Sequence, residues 1–112
     1  EAAFQRCLSQ KGVADLAVKY CLQYFAENPD APGVGLSPND CEVFCDCPKC
    51  VEWNLGRKPR ADEKGKSPWW VTRSVFGFAN RVGARVARTH PDKLIVVIAY
   101  SRMKEPMPRE NF

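Results

Sequence analysis

The sequence predicts an α/β chain in the order helix, strand, long loop, helix, strand. Three observations lead there. Apolar residues recur at helical spacing behind Ser9 and again from about Thr72; LIVVIAY at 94–100 is a continuous, β-branched apolar run; and the stretch between 38 and 72 has no sustained period. At 112 residues the chain is sized for one core.

The first helix, expected over 10–27, carries Val13, Leu16, Ala17, Tyr20, Cys21, Tyr24 and Phe25 as an i, i+3, i+4 stripe, with Ser9 as its cap. It should end near Glu27, because Asn28 precedes Pro29 and is pushed out of the α region. After the turn PDAPG, the apolar VGLS reads as a buried strand over 33–37. Residues 38–72 are rich in Pro, Gly, Lys and Cys and read as a Cys-rich loop, with at most one helical turn around 48–55. A second helix over 73–89 places Val75, Phe78, Ala79, Val82 and Val86 on one face, with Arg73, Arg81, Arg85 and Arg88 largely off it. The strand at 94–100 suits burial on both faces, as in a parallel sheet covered by helices. Two such strands have unpaired edges, so further strands are expected from elsewhere.

The net charge of +4 comes from 17 basic and 13 acidic side chains spread along the chain. Its densest run, RKPRADEKGK at 57–66, is broken by Asp62 and Glu63 and carries Pro59 and Gly65. That pattern reads as a solvated loop and not as a nucleic-acid patch. No apolar run approaches the roughly 20 residues that span a bilayer, and no signal-peptide pattern opens the chain. The chain starts at Glu1 and stops just after a Pro-rich stretch, so neither end is taken as a domain boundary.

In parallel α/β architectures ligands gather where loops leave the carboxyl ends of strands. Asn39 and Asp40 follow the first strand; Tyr100, Ser101 and Arg102 follow the second. Asp40 there could serve as a general acid or base, with Glu42 and Asp46 as weaker partners, or it could brace the loop through backbone N–H groups. Trp69 and Trp70, beside Pro68, could stack on a sugar ring. The residues alone favour at least one of the two closing over the core as a lid to the helix, and Trp53 is similarly ambiguous.

Cys45, Cys47 and Cys50 form CxCxxC, a spacing that lets one turn point several thiolates at a metal. A closed structural Zn²⁺ site needs a fourth ligand, from Cys41, Cys7, Cys21 or His90. Cys21 lies on the apolar stripe and suits a buried, unligated thiol, whereas Cys7 precedes the helix and is free to reach the loop. The rival is a pair of disulfides, though alternate residues of extended chain point apart, which disfavours Cys45 with Cys47.

The run from CLSQKGVADLAVKYCLQYFAENPDA through GLSPND, CDCPKC, VFGFANRVGARVARTHPDK and IAYSRMKEP resembles the domain-of-unknown-function 4838 family of large, often exported bacterial proteins grouped with carbohydrate-active enzymes. The resemblance covers about residues 4–108. It implies consecutive β/α units of a (β/α)8-type barrel related to glycoside hydrolase barrels, incomplete in this chain, with the remaining strands supplied by the same protein or another. It implies Asp40 at a strand's carboxyl end, where related barrels keep catalytic acids, and it favours Cys7 as the fourth partner of Cys45, Cys47 and Cys50. Position 41 is usually glycine in such sequences, so Cys41 is a departure.

The expectation is a segment of a glycoside-hydrolase-like barrel acting on a polysaccharide or glycoconjugate, secreted or periplasmic, with no nucleic-acid or membrane partner. Asp40 would be the catalytic group; Asn39, Tyr100, Trp69 and Trp70 would contact carbohydrate; Cys7, Cys45, Cys47 and Cys50 would hold a structural zinc. The alternative is a non-catalytic glycan- or protein-binding module stabilised by a zinc or disulfide knot.

Overall fold

The computed structural model describes residues 7–36, 44–65, 68 and 70–97. Helix α1 spans Lys11–Glu27, strand β1 Gly33–Gly35, helix α2 Pro48–Leu55, helix α3 Thr72–Val86 and strand β2 Leu94–Val96, with a 3-10 turn at Ala61–Glu63. The two strands pair in parallel, Gly33 with Leu94, Val34 with Ile95 and Gly35 with Val96. Position 33 is glycine because the strands approach closely there: a Cβ would lie 2.8 Å from the Leu94 carbonyl oxygen. The class is mixed α/β.

Helices α1 and α3 cover one face of this sheet. Ala14, Val18, Cys21 and Phe25 of α1 meet Val34 and Phe78, Val82 and Val86 of α3, with Ile95 packed against them. The buried face of α1 therefore differs from the expected stripe, since Leu16 is 60% and Tyr20 52% exposed while Ala14 and Val18 are inside. The small side chains of Ala14 and Val18 suit the seam with α3, and beside that seam Arg85 Nη1 donates to Asp15 Oδ1 at 2.7 Å. Burial of β2 on both faces is not what the described chain shows either. Leu94 and Val96 point away from the helices and are exposed, because nothing among the described residues covers that side.

Helix boundaries follow local chemistry. Gln10, not Ser9, is the N-cap of α1, and it makes no side-chain cap. The Ser9 hydroxyl instead lies 3.1 Å from Cys7 Sγ and 3.8 Å from Cys47 Sγ. At the other end the Asn28 backbone N–H and side-chain amide both donate to the Tyr24 carbonyl, at 2.8 and 3.0 Å, and Pro29 prevents continuation. Helix α3 stops at Val86, earlier than the expected 89. The His90 N–H turns back onto the Val86 carbonyl at 2.9 Å, and its ring stacks on Phe25 at 5.5 Å.

The expected single turn around 48–55 is an eight-residue helix. Its start and stop are local: Pro48 at the first helical position loses no hydrogen bond that was available, and Gly56, at φ 77°, closes the end in the left-handed region. Val51 and Asn54 bury its inner face.

Asn54 also completes α3. The N-cap of that helix, Val71, offers no side-chain acceptor, so its first turn would leave N–H groups unpaired. Asn54 Oδ1 accepts the Ser74 N–H at 3.0 Å from across the interface, a cap supplied by another helix. Asn54 is 1% exposed, so water cannot replace it. Asn54→Ala is expected to cost about 1–3 kcal/mol through the orphaned N–H. A urea midpoint unchanged from the parent chain would show that this bond carries no stability.

Candidate metal centre

The four sulfurs of Cys7, Cys45, Cys47 and Cys50 lie within 4.8 Å of one another. Three local structures bring them there. Cys7 sits in the segment ahead of α1, Cys45 and Cys47 in the extended chain entering α2, and Cys50 in the first turn of α2, 2% exposed. The extended conformation of Cys47 at the α2 N-cap followed by the Pro48 turn lets positions 47 and 50 face the same point. Cys7 Sγ stands 3.7 Å from both Cys47 Sγ and Cys50 Sγ. The Cys47 N–H donates to Cys45 Sγ at 3.5 Å, a bond that favours thiolate character.

The sulfur separations are compatible with a metal site. A disulfide requires an S–S separation of about 2.05 Å, and the described cysteines are all free thiols. Four sulfurs about 2.3 Å from a tetrahedral Zn²⁺ are about 3.8 Å apart. The 3.7 Å contacts match the second geometry.

The thiols are electrostatically unequal. Burial raises the Cys7 thiol, but hydrogen bonds from the Ser9 hydroxyl and backbone, and from Cys45 and Cys47, outweigh it and bring it down to about 6. Burial also raises Cys47, and its backbone and side-chain hydrogen bonds with Cys50 turn the balance downward. Burial pushes Cys45 and Cys50 up, and at Cys50 the hydrogen bonds with Cys47 and Cys7 and the charges of Cys45 and Cys7 push in the same direction. A cation at the centre of the four would remove that penalty by stabilising every thiolate at once.

Of the other residues singled out in the sequence, Cys21 is fully buried in the α1–α3 core, where burial pushes its thiol up. His90 packs on Phe25 and stands outside the cluster. Trp70 is 41% exposed and donates its indole N–H to the Asn54 carbonyl at 3.1 Å, tying the end of α2 to the approach to α3. Asn39, Asp40, Cys41, Glu42, Trp69 and Tyr100 lie outside the described residues. Sequence reasoning missed Ser9 as a neighbour of the sulfurs; its position two residues after Cys7 was the available signal.

The family model for a domain of unknown function, DUF4838, matches residues 1–111. The chain belongs to that family. No curated protein and no solved structure matches it. Among the described residues of this DUF4838 chain, no helix is long and apolar enough to cross a membrane.

Proposed function

We propose that this DUF4838 chain binds one structural Zn²⁺ through Cys7, Cys45, Cys47 and Cys50. The 3.7 Å sulfur separations carry the reading, because they fit a tetrahedral tetrathiolate and fit no disulfide. Four protein ligands leave no open position for substrate, so the ion's work is to hold chain segments together. It would pin the segment ahead of α1 to the chain entering α2, two stretches 40 residues apart at Cys7 and Cys47. Soft thiolate donors select zinc or iron over magnesium or calcium. Elemental analysis of chain prepared without chelator should find one zinc per chain, with six reactive thiols after denaturation in chelator. A metal-free chain with fewer than two reactive thiols would establish disulfides instead.

The strand register favours a second reading, as part of a glycoside-hydrolase-like barrel. Because β1 and β2 run parallel and in register, the chain leaves Leu36 and Val97 at the same end of the sheet. Asp40 follows Leu36 by four positions and Tyr100 follows Val97 by three. In this proposal Asp40 is the acid/base group, and Asn39 and Tyr100 hydrogen-bond sugar hydroxyls. Unchanged turnover of a cleaved glycan by Asp40→Asn would remove the catalytic role; glycan binding lost without any cleavage would favour a binding module.

A further inference from the structure

A groove of about 750 Å³ lies between α2 and α3, next to Ser9. That volume is within the range of small-ligand sites. Four cations and a single carboxylate line it: Lys49, Arg57, Arg73 and Arg81 against Glu52. Arg57 is already satisfied, since both its terminal nitrogens donate to the Glu63 carboxylate at 2.7 and 2.8 Å. Arg73 and Arg81 have no acidic partner among the described residues. Lys49 is flanked in sequence by the proposed ligands Cys47 and Cys50, so the two arginines carry the argument.

Their placement runs against ordinary helix energetics. Arg73 is the second residue of α3, whose first turn holds no acid, although the positive end of a helix dipole favours anionic side chains there. The backbone makes room for this guanidinium: a Cβ on Gly56 would come within 2.7 Å of Arg73 Cζ. Arg81 lies over the Trp53 ring at 5.0 Å, and the indole rests in turn on Gly77, where a Cβ would meet it at 2.6 Å. Two glycines thus seat a guanidinium and an indole that holds a second guanidinium. A groove lined by two guanidinia that have no acidic partner among the described residues is complementary to anionic groups.

We propose that this groove binds an acidic saccharide, with one sugar carboxylate at Arg73, another at Arg81 and sugar hydroxyls at Glu52 and Asn80. Glu52 decides between anionic ligands. A carboxylate in the groove accepts hydrogen bonds from hydroxyls, which a sugar supplies in number, and repels a ligand that brings only negative charge. The groove is lined by Ser9, α2, α3 and the Gly56–Arg57 link, so it is separate from the strand ends of the glycoside-hydrolase-like reading.

The test is calorimetric titration of the zinc-loaded full chain with trigalacturonate, its methyl ester and an oligoglutamate peptide. Trigalacturonate should bind saturably, with the methyl ester weaker by about tenfold or more, as loss of a charge-assisted contact implies. Arg73→Gln and Arg81→Gln should each weaken trigalacturonate by about tenfold, and Glu52→Gln should weaken it also. Equal binding of the ester, tighter binding after Glu52→Gln, oligoglutamate binding as well as the sugar, or absence of saturable heat would each overturn the proposal. Zinc content and melting temperature are read on every variant. Should Arg81→Gln loosen Trp53 and lower the melting temperature, Arg73→Gln, which orphans no acid among the described residues, decides alone. A parent chain that binds trigalacturonate but holds no zinc would sink the metal reading and leave the groove standing, and a silent groove in a zinc-loaded chain would do the reverse.

Discussion

Cys50→Ser in the DUF4838 chain is expected to abolish stoichiometric zinc and release α2 from the rest of the molecule. Structural zinc binding by thiolates is worth about 10–16 kcal/mol at neutral pH in small domains, as much as the about 5–15 kcal/mol by which a whole domain is stable. The ion's contribution should be local, because the main core of Ala14, Val18, Phe25, Val34, Phe78, Val82 and Val86 includes none of the four ligands. Hydrogen exchange with and without chelator should therefore show fast amides at 8–10 and along 49–55, while Val82 and Val86 stay slow. Cys7→Ser should behave like Cys50→Ser, whereas Cys21→Ser should keep its zinc, since Cys21 is a core thiol away from the cluster. Cys41→Ser should keep it too. Zinc retained by Cys7→Ser and lost by Cys41→Ser would mean that the ligand set is wrong.

The gathering of Cys45, Cys47 and Cys50 at one point was legible in their spacing. The residues alone left Cys41, Cys7, Cys21 and His90 open as the fourth partner, and it was the family resemblance that favoured Cys7, which the structure places beside the other three. Helix faces were legible where periodicity is unambiguous, as in α3, where Val75, Phe78, Ala79, Val82 and Val86 are all buried. They were not legible in α1, where large and small apolar residues surround the helix and the choice of face belongs to the partner. Leu16 and Tyr20 are the larger candidates, yet Ala14 and Val18 pack with the α3 residues of the core. Helix α2 was hidden by its length: eight residues with Lys49, Glu52 and Asn54 among them show no stripe, although Pro48 and Gly56 mark both ends. Asn54 could not be found at all, because it caps a helix twenty residues further along the chain. The arginines of the groove look in sequence like the solvated face of an amphipathic helix. Only the packing of α2 onto α3 turns Arg73 and Arg81 toward one space.

Phe25→Ala should be the most damaging change in the apolar core. Phe25 is among the largest fully buried side chains and closes the end of α1 where three elements meet. The His90 ring stacks on it at 5.5 Å after α3 has ended, Tyr24 meets it edge-on at 5.8 Å, and Lys93 Nζ stands 5.5 Å from its ring ahead of β2. The same ammonium donates to the Pro29 and Ala31 carbonyls at 2.7 and 2.6 Å, so the ring supports the hydrogen bonds that seat the entry to β1. Truncation leaves a cavity and costs about 3–5 kcal/mol. Phe25→Leu keeps most of the volume and should cost much less, so the two variants separate lost packing from lost aromatic contact. Denaturant midpoints measure both, with an unchanged slope showing that the difference lies in the native state. If Phe25→Ala cost less than about 1 kcal/mol, below the range for emptying a packed aromatic site, the α1, α3 and β2 ends would not share the core described for them. His90→Ala should then be compared directly, because it removes the stacked ring while leaving Phe25 and the Lys93 bonds in place. A small effect from His90→Ala beside a large one from Phe25→Ala would assign the junction's stability to the buried benzyl group itself.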